Sequence, residues 1–508
     1  MIKAQHLIVV ALCAIMMPLF LVSCKKDRNN MDNELLVPGP DLNLYALTAD
    51  NKLLLINAKN PNTITSQVSI SGLQTGESIL GIDFRPATGQ LYGIGSTSRI
   101  YVIDQKTGVA RSVASAPFTP ALTGTSVGFD FNPTVDRIRV VTSSGQNLRL
   151  NPETGTVAAT DGAINAVANA KVSSVAYTQN RAGASTTILY DIDVNNDKLH
   201  KQDPPNDGKL VEVGNLGVDA EEVGGFDINP DGTAAIAAIS VGGKSGLYTI
   251  DLNSGKASKI STIDLAISGI AIPTEAVAYA VSNNNELLIF NPLASNPTIV
   301  TKAITGIQTG ESILGIDMRP LNGQLYALGS SSRVYSINAS SGLAAAIGTA
   351  PLTTLLSGTQ FGFDFNPTVD RIRIVSNVGQ NLRFNPNDGS VTLDGNITMA
   401  NVAISGAAYT NNFAGASTTV LYDIDSQTDR LYKQDPPNLG TLVDVGPLGI
   451  NVEASNGFDI GGTSGVAYGL FTVGGTQRLY TVNLTTGAAT ALGTVSTAAR
   501  GFAIGIGF

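Results

Sequence analysis

The sequence predicts an all-β fold made of two tandem five-bladed β-propellers, with one ten-bladed β-propeller as the alternative. The segment GFDFNPTVDRIR, residues 128–139, recurs unchanged at residues 362–373. Looser versions of its first residues open further modules, and successive openings are 44 to 51 residues apart. Most openings are followed by three more short apolar runs separated by turn residues. Four short strands in every roughly 40–50 residues are typical of the blades of a β-propeller.

The modules form two copies of one sequence, residues 42–273 and residues 274–508. GESILG at residue 76 recurs at residue 310, an offset of 310 − 76 = 234. The modules open at Gly81, Gly128, Ser174, Gly225, Gly269, Gly315, Gly362, Gly406, Gly457 and Gly501. Residues 42–71 supply three strands, at 42–49, 52–58 and 66–71, without an opening strand, and residues 501–506 supply an opening strand with nothing after it.

The way in which these ends are completed separates the two alternatives. If residues 269–272 fold back onto residues 42–71, each copy closes as its own ring. If they continue into residues 277–282, all ten modules form one wide ring. Because propellers usually have about four to eight blades, we favour two rings. Pairing the last strand with the first ones also removes exposed sheet edges.

The N-terminus predicts a lipoprotein. Residues 1–23 contain one early lysine and then an apolar run, as in a secretory signal peptide. The run ends in LVSC, which resembles the bacterial lipobox, and this assigns Cys24 as the site of lipid attachment. Residues 24–41 are predicted to be a polar tether. We therefore expect a membrane partner through the lipid anchor, and a location in the cell envelope, at the outer membrane of a Gram-negative bacterium.

The composition narrows the classes of function. The 508 residues are 43% apolar and 14% charged, with 54 glycines and no tryptophan, which suits a folded, turn-rich β protein. The formal net charge of −9 argues against a nucleic acid partner. Both cysteines lie in the first 24 residues, so the remainder has no disulfide or thiol nucleophile. His200 is matched by Tyr432 in the second copy, which excludes a mechanism that needs a histidine base in both copies.

Several long segments resemble the bacterial family catalogued as domain of unknown function 4394. They are ESILGIDFRPATGQLYGIG, FDFNPTVDRIRVV, GQNLRLNPETG, ASTTILYDID and KQDPPN. The resemblance covers both copies, from about residue 42 to residue 508. Members of that family often carry one copy, which must close by itself, so the resemblance implies two rings. It implies no catalytic residues.

Repeated aspartates of the opening strands are the first candidate for chemistry. They are Asp83, Asp130, Asp227, Asp317, Asp364 and Asp459. Opening strands line the channel of a propeller, where such carboxylates could bind Ca²⁺ or act as an acid/base pair. The favoured interpretation is structural, with each carboxylate capping a turn or accepting backbone N–H bonds in its own blade. The modules at Ser174 and Gly406 lack the aspartate, so the ring would be incomplete.

A second candidate is a loop with oxygen ligands at alternate positions. In the first copy these residues are Asp191, Asp193 and Asp197, and in the second they are Asp423, Asp425 and Asp429. They would be the ligands of a Ca²⁺ ion, the one cofactor that the sequence suggests. A calcium loop of the EF-hand type, however, needs glycine at the sixth and glutamate at the twelfth position, and neither is present. A hairpin turn rich in Asp and Asn is favoured.

A third candidate is a set of arginines on neighbouring strands. Arg137, Arg139 and Arg149 recur as Arg371, Arg373 and Arg383. Guanidinium groups suit carboxylate or phosphate ligands, but pairing between blades with Asp130, Asp136 or Glu77 is favoured. The loops at residues 180–187 and 412–419 make the fourth module of each copy the longest, and long loops of this kind often bind partners.

The sequence therefore favours a lipid-anchored extracytoplasmic binding or scaffold module, with an unknown protein or glycan ligand, over an enzyme. The alternative is a propeller-type hydrolase or lyase that acts on extracellular polymer through channel carboxylates. An enzyme should place unique polar residues in one channel, whereas a scaffold keeps both channels alike. The candidate groups are duplicated here, which is why binding is favoured.

Overall fold

The computed structural model describes residues 35–508, in which it contains forty β-strands, two short 3-10 helices and no α-helix. The predicted all-β class is thus confirmed. The helices are Pro205–Asp207 and Pro437–Leu439. Strands β1 to β20 form the first half of the described chain, and strands β21 to β40 form the second half.

The strands of the first half are β1 (Asn43–Thr48), β2 (Lys52–Asn57), β3 (Asn60–Ser69), β4 (Ile79–Phe84), β5 (Leu91–Gly95), β6 (Arg99–Ile103), β7 (Ala110–Ser112), β8 (Val127–Asn132), β9 (Arg137–Thr142), β10 (Asn147–Leu150), β11 (Val157–Thr160), β12 (Val172–Tyr177), β13 (Leu189–Asp193), β14 (Lys198–Gln202), β15 (Leu210–Asn215), β16 (Glu222–Ile228), β17 (Ala235–Val241), β18 (Lys244–Ile250), β19 (Ala257–Ile263) and β20 (Ile267–Ala271).

The strands of the second half are β21 (Ala278–Ser282), β22 (Glu286–Phe290), β23 (Val300–Ala303), β24 (Ile313–Arg319), β25 (Gln324–Gly329), β26 (Arg333–Ile337), β27 (Ala344–Ala346), β28 (Phe361–Asn366), β29 (Arg371–Ser376), β30 (Asn381–Phe384), β31 (Val391–Leu393), β32 (Ile404–Tyr409), β33 (Leu421–Asp425), β34 (Arg430–Gln434), β35 (Leu442–Pro447), β36 (Ala454–Ile460), β37 (Ala467–Val473), β38 (Thr476–Val482), β39 (Ala489–Thr494) and β40 (Ala499–Ile504).

The repeated segment folds as a hairpin because its turn residues satisfy their own backbone. Asn132 Oδ1 accepts hydrogen bonds from the N–H and the hydroxyl of Thr134 at 3.0 and 2.7 Å. Asp136 adopts a left-handed conformation with φ of 50°, which aspartate tolerates better than most residues. The chain then returns as β9, and Asn132 pairs with Arg137.

The forty strands form ten antiparallel four-stranded sheets, five in each half. The last strand of each half completes its first sheet, because β20 pairs with β1 and β40 pairs with β21. This is the pairing that the two-ring interpretation requires. The prediction of an all-β chain in two tandem propeller-like halves is thus confirmed, while independent folding of residues 42–273 and 274–508 stays a prediction.

One strand of each sheet lies next to the corresponding strand of the following sheet, and we call these the inner strands. In the first half they are β4, β8, β12, β16 and β20, which contact one another in that order, with β20 against β4. In the second half β24, β28, β32, β36 and β40 form the same closed cycle. The approach is close, since a Cβ atom on Gly128 would lie 2.8 Å from the backbone nitrogen of Val175. The recurrent opening glycine therefore has a packing reason.

The hydrophobic core is divided into layers between neighbouring sheets. One layer joins Leu47 and Ala271 of the first sheet to Phe84 and Tyr101 of the second. The same alternation of sheet and apolar layer continues around each half. A further cluster in the second half also includes Ala87 of the first half, so the two halves pack against each other.

Candidate functional site

Three aspartates of the inner strands converge in each half. The first axial triad is Asp83, Asp130 and Asp227, and the second is Asp317, Asp364 and Asp459. All six side chains are buried, at about 1% exposure. In each triad one ligand oxygen from each carboxylate lies within 4.8 Å of the other two. Among residues 35–508 these are the two groups of acidic side chains close enough to share a metal ion.

The carboxylates of the first triad accept hydrogen bonds from four inner strands and from Ile272, the residue that directly follows the fifth inner strand, β20. The five donors and distances are Phe84 to Asp83 at 2.7 Å, Phe131 to Asp83 at 2.8 Å, Tyr177 to Asp130 at 3.1 Å, Ile228 to Asp227 at 2.6 Å and Ile272 to Asp227 at 2.6 Å. Each aspartate thus bonds to the backbone at the inner strand of the following sheet. Asp83 and Asp227 also bond to the residue next to them.

The second triad repeats this arrangement donor for donor. The bonds are Met318 to Asp317 at 2.7 Å, Phe365 to Asp317 at 2.7 Å, Tyr409 to Asp364 at 2.9 Å, Ile460 to Asp459 at 2.6 Å and Ile504 to Asp459 at 2.6 Å. We predicted bonds within one blade, and the structure adds a bond to the next sheet for every aspartate. The triads therefore connect neighbouring sheets around the axis through hydrogen bonds from carboxylate to backbone.

Burial makes these carboxylates unusually weak acids. Burial and the charge of the neighbouring carboxylates raise the pKa of Asp83 and Asp130, and of Asp317 and Asp364. Burial alone raises the pKa of Asp227 and of Asp459 to about 7. Equivalent groups in the two triads thus have equivalent environments. Acid/base catalysis requires two groups whose environments differ. Such a difference exists within each triad, between Asp227 or Asp459 and the other two aspartates, but not between the two triads.

The arginine trios lie between the third and fourth sheets of each half. Arg139 is 1% exposed, and its guanidinium donates to Asp161, Asn147 and Asn206 at 2.6, 2.7 and 2.8 Å. Arg149 donates two bonds to the same Asp161, at 2.8 and 2.9 Å. Asn206 precedes β15, so this network ties the third sheet to the fourth. Arg139 Nε also donates to the Tyr177 hydroxyl at 3.2 Å, so four of the five N–H donors of this buried guanidinium already have partners within the protein.

The second half contains the same network. Arg373 donates to Asp394, Asn381 and Asn438 at 2.6, 2.8 and 2.8 Å, and Arg383 binds Asp394 twice. The remaining members of the trios bond only locally, Arg137 to the carbonyl of Asp136 and Arg371 to that of Asp370.

The partners of the buried arginines were not predicted. We expected Asp130, Asp136 or Glu77, whereas the carboxylate that binds Arg139 is Asp161. Asp161 and its counterpart Asp394 are both followed by glycine in otherwise divergent segments. This shared Asp-Gly dipeptide was the one feature of the sequence that could have identified the partner of Arg139.

Asp136 has a different partner, which the sequence analysis also missed. Arg85 is 1% exposed, and its Nε donates to Asp136 Oδ1 at 2.9 Å. Its terminal nitrogen also reaches Glu153 at 3.2 Å. The second half repeats the pair as Arg319 and Asp370. The ion pair that Asp136 forms between sheets is thus made by Arg85 and not by Arg137, which bonds to the carbonyl of Asp136.

The loop aspartates do not converge on one point. Asp193 Oδ1 accepts N–H bonds from Lys171 at 2.9 Å and from Asn195 at 3.0 Å, and Asp197 Oδ1 accepts one from Ala220 at 2.8 Å. Burial would raise the pKa of Asp193, but His200, Asn196 and the two backbone donors outweigh it and lower the pKa to about 2.

The second half uses its loop aspartates in the same way. Asp425 accepts N–H bonds from Ala403 at 2.8 Å and Gln427 at 2.9 Å, and Asp429 accepts one from Val452 at 2.7 Å. These are the contacts of an Asp-rich turn. Neither loop is among the acidic groups of the described residues that are close enough to share an ion.

Asp191 and Asp423 differ from the other loop aspartates. Both are fully buried, and neither carboxylate has a hydrogen-bond partner within the protein. Burial raises the pKa of each to about 8, although the nearby Arg139 or Arg373 opposes the shift. A protonated carboxyl group is thus favoured at these two positions in neutral solution. His200, the cross-strand neighbour of Asp191, lies 3.6 Å from Asp193.

Cys24 and the predicted signal peptide, residues 1–23, lie outside the described residues. Among residues 35–508 no helix is long and apolar enough to cross a membrane.

Comparisons with known proteins identify the family. A crystal structure of a protein from Lactobacillus plantarum is similar over 65% of this chain and 97% of its own, at 13% identity and a TM-score of 0.28, and a likeness that low bears on neither fold nor function. No curated protein matches the chain. The family described as "Domain of unknown function (DUF4394)" matches residues 52–271 and again residues 286–504. The chain therefore belongs to this family and contains two copies of its domain.

Proposed function

We propose that this protein is a lipid-anchored, extracytoplasmic binding or scaffold module. The observation that carries the proposal is the sameness of the two halves. The buried aspartates and arginines that looked suited to chemistry recur in both, and in both they bond to the same structural partners. A structural role in each half is sufficient to explain why these aspartates and arginines are present. Binding by surfaces and loops is then the role left to the molecule.

The lipid anchor is part of the proposal and is supported by the sequence. LVSC at residues 21–24 follows an apolar run, and a polar segment separates Cys24 from β1. A lipid on Cys24 would hold both halves at a membrane surface, and we propose the outer membrane of a Gram-negative bacterium. The net charge of −9 disfavours nucleic acid, so a protein or glycan of the envelope is the proposed partner.

A hydrolase or lyase that uses channel carboxylates is the second candidate. One observation favours it, because the raised pKa values of Asp227 and Asp459 near 7 suit a general acid at neutral pH. Against it, both oxygens of each of these carboxylates already accept backbone N–H bonds. A proton donor must point at a substrate atom.

The experiment that separates these functions uses isolated cell envelopes. The purified full-length chain is incubated with envelopes, which are then sedimented, and both retained protein and released soluble products are measured. A binding module predicts saturable retention with no release of reducing ends or unsaturated sugars. Product release that disappears in Asp227→Asn would refute the binding role and favour the enzyme. Absence of saturable retention would refute the proposal as well.

A further inference from the structure

The two halves meet at two related junctions. At each one, the loop between the first two strands of the fourth sheet of one half faces the last hairpin turn of the second sheet of the other half. The loop of the first half meets the turn at Ala339 and Ser340, and the space between them is about 10 Å³. Gly183 of that loop packs against Val300, where an added Cβ would lie 3.1 Å from the valine Cβ. This junction is closed.

The second junction is open. The loop of the second half, with Phe413, faces the turn that contains Lys106, and a groove of about 870 Å³ separates them. Residues 462–465 and the C-terminal residues 506–507 also line this space, which we call the junction groove. Its volume is in the range of about 300–1,000 Å³ that is usual for sites of small organic ligands.

The cations of the junction groove are absent from the second half. Lys106 corresponds to Ser340, since 106 + 234 = 340, and Arg111 corresponds to Ala345, since 111 + 234 = 345. The sheet therefore folds without either charge. The axial aspartates and buried arginines, by contrast, recur in both halves with the same partners. A residue present in one half alone is free to serve a function other than folding.

Neither cationic side chain forms an ion pair within the described part of the chain, although the carboxylate of Asp104 also lines the groove and accepts the backbone N–H of Lys106 at 2.8 Å. Lys106 Nζ donates to the carbonyl of Thr463 at 2.6 Å, and a terminal nitrogen of Arg111 donates to the carbonyl of Leu321 at 2.7 Å. No carboxylate among residues 35–508 forms a salt bridge with either side chain. Burial lowers the pKa of Arg111. A partly desolvated guanidinium without a counter-ion is a favourable place for an anion.

Apolar side chains stand in the same groove. Phe413 is 41% exposed and Val109 is 53% exposed. Phe413 also breaks the repeat, because its counterpart, at 413 − 232 = 181, is Arg181. A groove lined by both an exposed aromatic ring and cations suits a ligand that is apolar at one end and negatively charged at the other.

We propose that the junction groove binds an organic carboxylate, with the carboxylate at Arg111 and Lys106 and an apolar ring or chain against Phe413 and Val109. The proposal rests on the binding role given above and names the chemistry of one ligand. Two sources supply that chemistry, a small aromatic or aliphatic acid and the C-terminus of a peptide that ends in an apolar residue.

Calorimetric titration of the purified full-length chain tests the ligand chemistry. The probes are 3-phenylpropionate and an N-acetylated tripeptide that ends in phenylalanine with a free carboxylate. Each is compared with its neutral amide. The acid should bind at least ~10-fold more tightly than its amide, because the amide loses the charge-assisted hydrogen bonds, and binding should weaken as salt is added. Tighter binding of one acid than of the other identifies the source.

Variants of the groove residues locate the site. Arg111→Ala and Lys106→Ser install the residues that the second half has at these positions, and Phe413→Ala removes the aromatic ring without adding a charge. Each should lower the affinity for the acid ~10-fold or more, as expected for the loss of a charged or aromatic contact. Arg333→Ala is the matched control, since Arg333 is half-buried, donates to one carbonyl and lies outside the groove.

Three results would overturn the inference. They are the absence of binding by either acid, equal affinity for acid and amide, and affinities that are unchanged in Lys106→Ser and Arg111→Ala. Lys106 is exposed, so its replacement leaves the fold intact and its result is always interpretable. If the chain is retained on envelopes although one of these results is found, the proposed binding function is still supported and only the assignment of the ligand to the groove is refuted.

Discussion

Removal of the strand that closes the first half tests whether each half is a complete ring. The fragment of residues 42–273 keeps β20, and the fragment of residues 42–266 lacks it. Ile267, Ile270 and Ile272 are 9%, 3% and 1% exposed in the intact chain. Burial of an isoleucine side chain contributes about 1.5–3 kcal/mol, so the shorter fragment loses roughly 5–9 kcal/mol from these three side chains. Domains are stable by about 5–15 kcal/mol in total.

Further losses act in the same direction. Without β20 the strand β1 loses its partner and exposes its backbone edge. Asp227 loses the N–H of Ile272, which leaves one oxygen of a buried carboxylate without its donor. Separation from the second half also removes contacts, among them the packing of Ala87 and the hydrogen bond from Gly507 to the carbonyl of Thr88, but it breaks none of the five sheets of the first half. The longer fragment should therefore be stable and the shorter one should not.

The assay is urea unfolding followed by far-ultraviolet circular dichroism, with light scattering to measure the oligomeric state. We expect residues 42–273 to be monomeric and to unfold in one cooperative transition, and residues 42–266 to aggregate or to unfold at much lower urea. Equal misbehaviour of both fragments, beside a stable full-length chain, would refute the two-ring model. Equal stability of both would show that β20 does not close the ring.

Three other predictions concern the anchor, metal and pH. Cys24→Ala should release the protein from membranes or leave it unprocessed, and unchanged fractionation and processing would exclude the lipoprotein assignment. A chelator should leave the melting temperature unchanged, since the loop aspartates bond to their own turns, whereas a clear fall would reveal a structural ion. Asp191 and Asp423 have a pKa raised by burial to about 8, against about 3.9 when unfolded, so stability should fall as the pH rises between these values. Replacing both by asparagine should flatten that fall in urea titrations at several pH values, and an equally steep fall would contradict the assignment.

The architecture could be predicted because it repeats. Ten copies of one opening segment, with matching incomplete ends, define ten sheets without any knowledge of contacts. The boundaries also came close, since the strand predicted at residues 269–272 is β20, at Ile267–Ala271. The third strand of the first sheet was predicted at residues 66–71 and begins earlier, at Asn60. The residues of this exposed outer strand are mostly polar, so the alternation of apolar and polar residues that marks a strand is missing there.

Partners across sheets could not be predicted from spacing. Arg139 and Asp161 lie on one sheet, yet Asn206, which completes the arginine's bonds, comes from the next sheet and is 67 residues away. The alternation of residues in a sequence indicates on which face of a strand a side chain lies. It does not indicate which side chain of the neighbouring sheet will contact it. The junction groove is further removed still, because it exists only where the two halves meet. Its cations were visible in the sequence as differences between the copies, at Lys106 and Arg111, but nothing local joined them to Phe413.

The missing aspartates of the ring have a physical explanation. Each half presents five backbone N–H groups to the axis, and three carboxylates offer six oxygens, enough to accept all five. The two remaining strands carry Ala176 and Ala271 in the first half and Ala408 and Ala503 in the second, all fully buried. An aspartate there would add a buried charge with no donor left to stabilise it. The one spare oxygen is apparent in the second half, where Asp364 Oδ2 has no protein partner. An incomplete ring of carboxylates is thus a sign that the ring serves the fold, because three carboxylates are the smallest number whose oxygens can accept all five donors.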